Sequence, residues 1–236
     1  MSRSPAGQYA KSLEGVDIFS RLTPDTMTRL QKRCTWRRYE PGESIVDHLD
    51  ASRDVYFITG GDARATLYSL SGTVVTFTDL GPGEMFGEIA AIDGSPRSAS
   101  IEARTRCVIA AMPAAVFNEV LRSEPEVAHS LLGSMAARIR ALTTRIYEFS
   151  ALAVNNRIQA EILRLAAGTR REGKSARIDK APTHAELASR VSTHREAVTR
   201  ELNRLAKLGV IEQQGRTLVI RDIDRLEQIV HDATGE

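Results

Sequence analysis

The chain has 236 residues, 42% hydrophobic and 26% charged, with a formal net charge of +2 at pH 7. These proportions are those of an ordinary globular protein and exclude wholesale disorder; no apolar run approaches the roughly 18 residues of a bilayer span, and the first fifteen residues lack the apolar core of a secretory signal, so a cytoplasmic protein with no membrane partner is expected. The length suits two domains better than one, and the charge divides into −1 over residues 1–154 and +3 over residues 155–236, which permits nucleic-acid binding by the C-terminal part.

Residues 13–34 suggest short helices, with a start signal at Thr23-Pro24-Asp25 and Met27, Leu30 and Cys34 at helical spacing. From Trp36 to Met112 the texture changes to short strand candidates such as VYFI, ATLYSL, TVVTFTDL and CVIAAM. Turn signals at Pro41-Gly42, Gly60-Gly61, Ser71-Gly72 and Gly81-Pro82-Gly83 separate them, as in a compact antiparallel barrel or roll. Cys34 and Cys107 are the only cysteines, with no CxxC and no histidine at ligand spacing, which disfavours a disulfide framework and a metal site.

Within this region Phe86 to Ser100, FGEIAAIDGSPRSAS, carries the densest chemistry. Gly87 lets the backbone approach a ligand, and Gly87-Glu88-Ile89-Ala90-Ala91 is short and helix-prone, so its first N–H groups are available to an anion. Arg97 can fork onto two phosphate oxygens, with the Ser98 hydroxyl as a further donor. A phosphate would repel Glu88, whose plausible task is to accept from sugar hydroxyls. The other reading of the same residues is a Glu88–Arg97 salt bridge on a turn, with the glycines serving turn geometry alone.

Helical periodicity begins after Pro113, with one helix over Ala114 to Arg122 and a long one from about Glu126 to Ser150. Met135, Ile139, Leu142, Ile146, Phe149 and Ala153 are spaced by four, three, four, three and four, the seam of a coiled coil and hence of a parallel two-fold homodimer. Burial of one stripe against the helix's own barrel is the alternative, but further apolar residues, Leu131, Leu132 and Leu152, lie off or at the edge of the seam. Ala151 to Asn156 suits a hinge, and a helix from Arg157 to Ala167 ends at Gly168. Thr169 to Lys180 reads as an exposed connection with a short strand at Ala176-Arg177-Ile178.

Two capping boxes follow, Thr183 with Glu186 and Thr193 with Glu196. They open helices over Ala185 to Val191 and to about Leu208, separated by Ser192 and Thr193, the abrupt joint of a helix-turn-helix. Val198, Leu202, Leu205 and Ala206 make an inward face of the second helix, leaving Arg195, Glu196, Thr199, Arg200, Asn203 and Arg204 elsewhere. Arg195 and Arg200 can each fork onto guanine O6 and N7, and Glu196 can accept from a cytosine amine. Alternatively Glu196 caps the helix and pairs with Arg200 at i,i+4. Two apolar runs around Gln213-Gln214-Gly215 form a hairpin wing, and Asp222 to His231 forms a packing helix.

Phe86-Gly87-Glu88, followed by Ser95-Pro96 and Arg97-Ser98-Ala99, resembles the phosphate-binding cassette of cyclic-nucleotide-binding domains. Arg195-Glu196 with Arg200 resembles the recognition helix of the CRP/FNR family of bacterial transcription regulators. The likeness runs from Leu13 to Ile220 and implies an α+β chain: an N-terminal cyclic-nucleotide-binding β-roll (residues 1–125), a dimerisation helix with hinge (126–154) and a C-terminal winged helix-turn-helix (155–236).

By that resemblance Gly87 and Glu88 approach phosphate and ribose, Arg97 and Ser98 bind the cyclic phosphate, Ile89 and Ala90 offer backbone N–H groups, and Arg138 steadies Glu88. In cAMP-binding relatives two adjacent hydroxyl residues on the dimer helix read the adenine; Leu142 and Thr143 stand there, so one is retained, and Thr144 and Thr78 are further candidates. cAMP is favoured, with cGMP a competitor. Arg195 and Arg200 would read guanines and Glu196 a cytosine in a palindrome with a TGTGA-like half-site, with Thr193 and His194 on phosphate and Thr199 on the same face. Ligand would re-register the helix near Ala151 to Val154 and bring the two recognition helices about 34 Å apart.

RNA polymerase is the further partner implied. The cysteine set of the family's oxygen-sensing branch is missing. A second hypothesis keeps the scaffold and changes the signal to redox, haem or a small organic effector. An enzyme is disfavoured: the chain shows no nucleophile–base pair, paired catalytic carboxylates or Walker loop.

Overall fold

The computed structural model describes residues 11–68, 74–169 and 171–234; the turn expected at Ser71-Gly72 lies outside them. Residues 11–68 and 76–138 cluster into one compact unit, and 139–169 with 171–234 into another.

In the first unit a 3-10 turn (Asp17–Phe19) leads to α1 (Pro24–Lys32), whose N-cap Thr23 accepts from the Thr26 N–H at 3.3 Å. Eight strands follow: β1 (Thr35–Tyr39), β2 (Ser44–Val46), β3 (Val55–Gly60), β4 (Ala63–Tyr68), β5 (Val74–Leu80), β6 (Met85–Phe86), β7 (Ser100–Ala103) and β8 (Cys107–Met112). α2 (Glu88–Asp93) interrupts them between β6 and β7. Two four-stranded sheets result, ordered β1-β8-β3-β6 and β2-β7-β4-β5. Alternation along β3 gives that strand two buried faces: Val55 and Phe57 pack with Phe19, Met27 and Phe117, while Tyr56 and Ile58 pack with Ile101 and Ile109 between the sheets. Gly61 turns β3 into β4 at φ 80, where a Cβ would overlap the Arg106 carbonyl.

α3 (Ala114–Ser123) and α4 (Pro125–Ala151) follow β8. α4 carries two apolar stripes. Val127 and Leu131 bury into the core of the first unit and Met135 packs partly against it, whereas Leu132, Ile139, Leu142, Ile146 and Phe149 remain exposed. Leu132, three residues before Met135, extends the expected seam. Ala153 does not: it is extended, with φ −61 and ψ 155, and lies outside the helix, so the seam ends at Phe149.

The second unit continues through α5 (Val154–Ala167), which begins three residues before the expected Arg157, so only Leu152 and Ala153 interrupt the helical path. Then come β9 (Arg171–Glu172), β10 (Ser175–Ile178), α6 (His184–Arg190), α7 (Arg195–Lys207), β11 (Ile211–Gln214), β12 (Thr217–Ile220) and α8 (Ile223–Thr234). The stretch expected as an exposed connection is instead a hairpin that enlarges the wing to a four-stranded sheet, β11-β12-β10-β9. Ile158, Ile162, Leu187, Val198, Leu205 and Ile220 form the core beneath it.

Candidate functional site

The cassette begins where β6 ends. Gly87 caps α2 at φ 85, the left-handed region, and a Cβ there would stand 2.5 Å from Arg97 Nη1 and 2.8 Å from the Asp54 carbonyl oxygen. Only glycine fits without strain. Arg97 is 3% exposed and its guanidinium is held from three sides. Nη1 donates to Gly87 O at 3.1 Å, Nη2 to Asp54 O at 2.8 Å and Nε to Ser52 Oγ at 3.1 Å, while the Tyr56 ring lies 5.4 Å from its centre. Among the described residues no carboxylate forms a direct ion pair with it; Asp50 is linked to it through the Ser52 hydroxyl, which donates to Asp50 Oδ2 at 3.2 Å.

Glu88, 2% exposed, is engaged elsewhere: Arg138 Nη1 donates to its Oε1, and Arg138 Nη2 donates to Met85 O at 3.1 Å. The Glu88–Arg97 salt bridge considered from sequence is therefore absent from the described residues, and each residue has its own partners. Ala90 is buried, and Ile89 and Ser98 are exposed beside them. Thr78 stands exposed on β5, its hydroxyl donating to Asp79 O at 3.1 Å. Thr143 and Thr144, exposed on α4 in the second unit, donate back to Ile139 O at 3.0 Å and Arg140 O at 3.2 Å. A hydroxyl that has spent its hydrogen in this way can still accept.

In the second unit the first capping box forms in full: Thr183 Oγ1 accepts from Glu186 N at 3.2 Å and Glu186 Oε2 accepts from Thr183 N at 2.8 Å. The second does not form. Ser192 turns through φ 48, the Thr193 N–H goes to Ala188 O at 3.0 Å, and His194 takes the cap of α7 without a side-chain bond. Thr193 thus lies one residue too early to cap, and Val191 to His194 separate the two helices. Val198, Leu202 and Leu205 face inward as expected, but Ala206 is exposed and Glu201 is buried in its place.

Arg195, Glu196 and Arg200 stand exposed on the opposite face, and no ion pair joins Glu196 to Arg200 among the described residues. His194 is exposed and Thr193 half-buried. Thr199 is turned toward α6: its hydroxyl donates to Arg195 O at 3.0 Å and lies 2.8 Å from His184 Nδ1. Arg204 is tied back to Glu201 through Nε at 2.9 Å and Nη2 at 2.8 Å.

Several residues that matter here were missed from sequence. Ser52, Asp54 and Tyr56, which hold Arg97, lie more than forty residues before it. Glu201 also accepts from Gln159 Nε2 of α5 at 2.6 Å, buried; its position inside the apolar face of α7 was the available signal. Arg216, expected within the second run of the hairpin, stands instead as an exposed cation at its tip, between Gln214 and Thr217.

Residues 36–124 match the cyclic nucleotide-binding domain family, and residues 156–229 the Crp-like helix-turn-helix domain. The chain is 30% identical over 217 residues to the cyclic AMP receptor protein of Thermus thermophilus, covering 92% of this chain and 98% of that protein. It is 26% identical over 211 residues to the CRP-like cAMP-activated global transcriptional regulator of Mycobacterium tuberculosis, covering 89% and 94%. Its fold is that of a CooA mutant from Carboxydothermus hydrogenoformans, with TM-score 0.75 at 18% identity over 84% of this chain and 88% of that one. Two matched domains in one order, and a relative aligned over nearly the whole length, leave one assignment: the chain belongs to the CRP/FNR family of DNA-binding transcription regulators, which are not enzymes.

Proposed function

We propose that this regulator is a homodimer whose grip on a palindromic operator is switched by a cyclic nucleotide, with cAMP the favoured ligand. The observation that carries the reading is the buried Arg97, a desolvated cation with carbonyl and hydroxyl partners and no direct ion pair among the described residues, the Asp50 carboxylate reaching it only through the Ser52 hydroxyl. Burying a charge without an opposite one is costly, and a cyclic phosphate would supply it. Ser98 and the Ile89 and Ala90 N–H groups would complete the phosphate site, and the second oxygen of Glu88, beside Gly87, would accept from the ribose. Thr143 and Thr144, whose hydroxyls donate to their own helix, are left as acceptors for a donor on the purine edge, with Thr78 a further contact; adenine and guanine both offer an exocyclic amine, and cAMP is preferred by the likeness to cAMP-responsive relatives.

Dimerisation is supported by the exposed stripe Leu132, Ile139, Leu142, Ile146 and Phe149, whose 7-residue repeat matches a second copy of itself. Arg195, Arg200 and Glu196 would read a TGTGA-like half-site, Thr193 and His194 would hold phosphate, and RNA polymerase would be the downstream partner. Nucleotide and operator would strengthen each other by about 1–3 kcal/mol. Calorimetry with cAMP and cGMP in parallel, with and without a palindromic duplex, tests this: tighter cAMP binding in the presence of duplex is expected, and no heat with either nucleotide would overturn it.

A redox signal on the same scaffold is the competing reading, and cysteine chemistry opposes it. Burial pushes the thiols of Cys34 and Cys107 up to about 11. A raised thiol pKa keeps both protonated at neutral pH, so alkylation should run about 100-fold slower than for an ordinary cysteine and accelerate as pH rises toward 11. Rapid labelling of either residue at pH 7 would favour the redox reading.

A further inference from the structure

The break between α4 and α5 is short and spanned by buried charge. Leu152, one of its two residues, is buried. Arg145 and Glu148, from the last two turns of α4, meet Glu161 and Arg164 from α5. Arg145 Nη1 lies 3.0 Å from Glu161 Oε2 and 3.6 Å from Glu148 Oε2; Arg164 Nη2 lies 2.6 Å from Glu148 Oε1, and its Nη1 also reaches Glu161 Oε2. The other oxygen of Glu161 faces Arg190 Nη1, at the end of α6, at 3.4 Å. Phe149 adds an apolar face to the joint, its ring centre 5.9 Å from the Arg145 guanidinium and 5.2 Å from that of Arg157 on α5.

Arg164 is partly in solvent, its side chain 40% exposed, but the groups it meets are not. The Glu161 side chain is 1% exposed, that of Arg190 7% and that of Arg145 17%. Burial lowers the Arg145 pKa, with the Glu161 carboxylate acting in the opposite direction. Exposed pairs exchange readily for water, but separating these would leave several charges desolvated and alone. Turning α5 about Leu152 and Ala153 would draw Glu161 from Arg145 and Arg164 from Glu148 at once. Glu161 holds cations from α4, α5 and α6 together, so it is the residue on which the cluster depends.

We propose that this cluster is an ionic clamp, keyed by Glu161, that holds the end of α4 and the winged domain as one body across Leu152 and Ala153, so that a nucleotide signal reaching the end of α4 is passed on to the recognition helix. The part given to the nucleotide rests on the function proposed above; the clamp does not.

Amide hydrogen exchange on the full chain without nucleotide is the test. In the wild type, the hydrogen-bonded amides of Leu152, Asn156 and Arg157 should exchange as slowly as those from the middle of α5, whereas Ala153, Val154 and Asn155, at the start of the helix, exchange faster with or without the clamp. Glu161→Gln should raise exchange at least tenfold at the hydrogen-bonded amides from Arg145 to Ile158, while those of β3 and β8 keep their wild-type rate. Fast exchange at Leu152, Asn156 and Arg157 in the wild type, or unchanged exchange in the variant, would overturn the clamp. If Glu161→Gln unfolds the second unit altogether, Glu148→Gln, which removes the Arg164 link across the break but leaves Glu161 paired to Arg145, should raise exchange there by a smaller factor of at least about threefold, and unchanged exchange would overturn the clamp.

A functional arm follows with cAMP as probe. Glu161→Gln should leave cAMP affinity within twofold of wild type and reduce at least tenfold the gain in operator affinity that cAMP produces. An undiminished gain would overturn the clamp. No gain in the wild type itself would instead count against the proposed ligand and leave the exchange result to decide the clamp.

Discussion

The arginine of the cassette and those of the recognition helix are built to opposite specifications. Arg97 is buried, with its three nitrogens fixed on two carbonyls and a hydroxyl, whereas Arg195 and Arg200 stand in solvent without a partner among the described residues. The difference follows from what each would meet. A small anion offers few contacts, so its site gains most from donors already desolvated and aimed. A duplex brings a long array of charge and a water-filled groove, and the residues that search it do better hydrated and mobile until docked.

The sharpest way to break that contrast is Arg97→Ala. Hydrogen bonds to charged groups contribute about 1.5–3 kcal/mol each, so losing a fork of two should weaken cAMP binding by at least about 100-fold in calorimetry. Unchanged affinity would reduce the cassette to leftover architecture. Gly87→Ala approaches the same group from the backbone side. The left-handed conformation costs a non-glycine residue about 1–2 kcal/mol, and the new methyl would press on Arg97 Nη1 and Asp54 O. A lower melting temperature and roughly tenfold weaker cAMP binding are expected together; loss of binding without loss of stability would mean that the glycine serves only ligand approach.

On the recognition helix the effect should be smaller and of another kind. Arg200→Ala should remove about 1–3 kcal/mol of discrimination at one base pair per half-site, measured by competition among operator variants. A uniform loss across all sequences, with a shallower salt dependence, would make Arg200 a phosphate contact and leave base reading to its neighbours.

What could be read in advance was local. The Thr183 and Glu186 cap, the exposed stripe of α4 and the glycine–arginine cassette each lie within a few turns of chain, and periodicity or turn chemistry marks them. The partners of Arg97 could not be read, because Ser52 and Asp54 meet it only through strand packing, and Asp54 contributes a carbonyl that any residue would have supplied. Arg145, Glu148, Glu161 and Arg164 look in sequence like ordinary charged faces of two helices; only the short break at Leu152 and Ala153 folds those faces together. Thr193 illustrates a different failure. A capping box requires the helix to begin immediately after the threonine, and the left-handed turn at Ser192 delays it by one residue.

Thr199 gives the finest discrimination between the two kinds of site, because it lies on the recognition helix yet is engaged like a core residue. With its one hydrogen on Arg195 O, the hydroxyl accepts across the 2.8 Å contact from His184 Nδ1 in the tautomer that carries the proton there. The other ring nitrogen, Nε2, is buried without a partner among the described residues. Thr199→Val keeps the shape and removes the acceptor, leaving the His184 N–H unmet at about 1 kcal/mol. For a chain of this size that corresponds to a fall in melting temperature of about 2–4 °C, with the order of preference among operator variants unchanged. A shift confined to one base pair, with the melting temperature intact, would instead move Thr199 to the DNA-reading face beside Arg195 and Arg200.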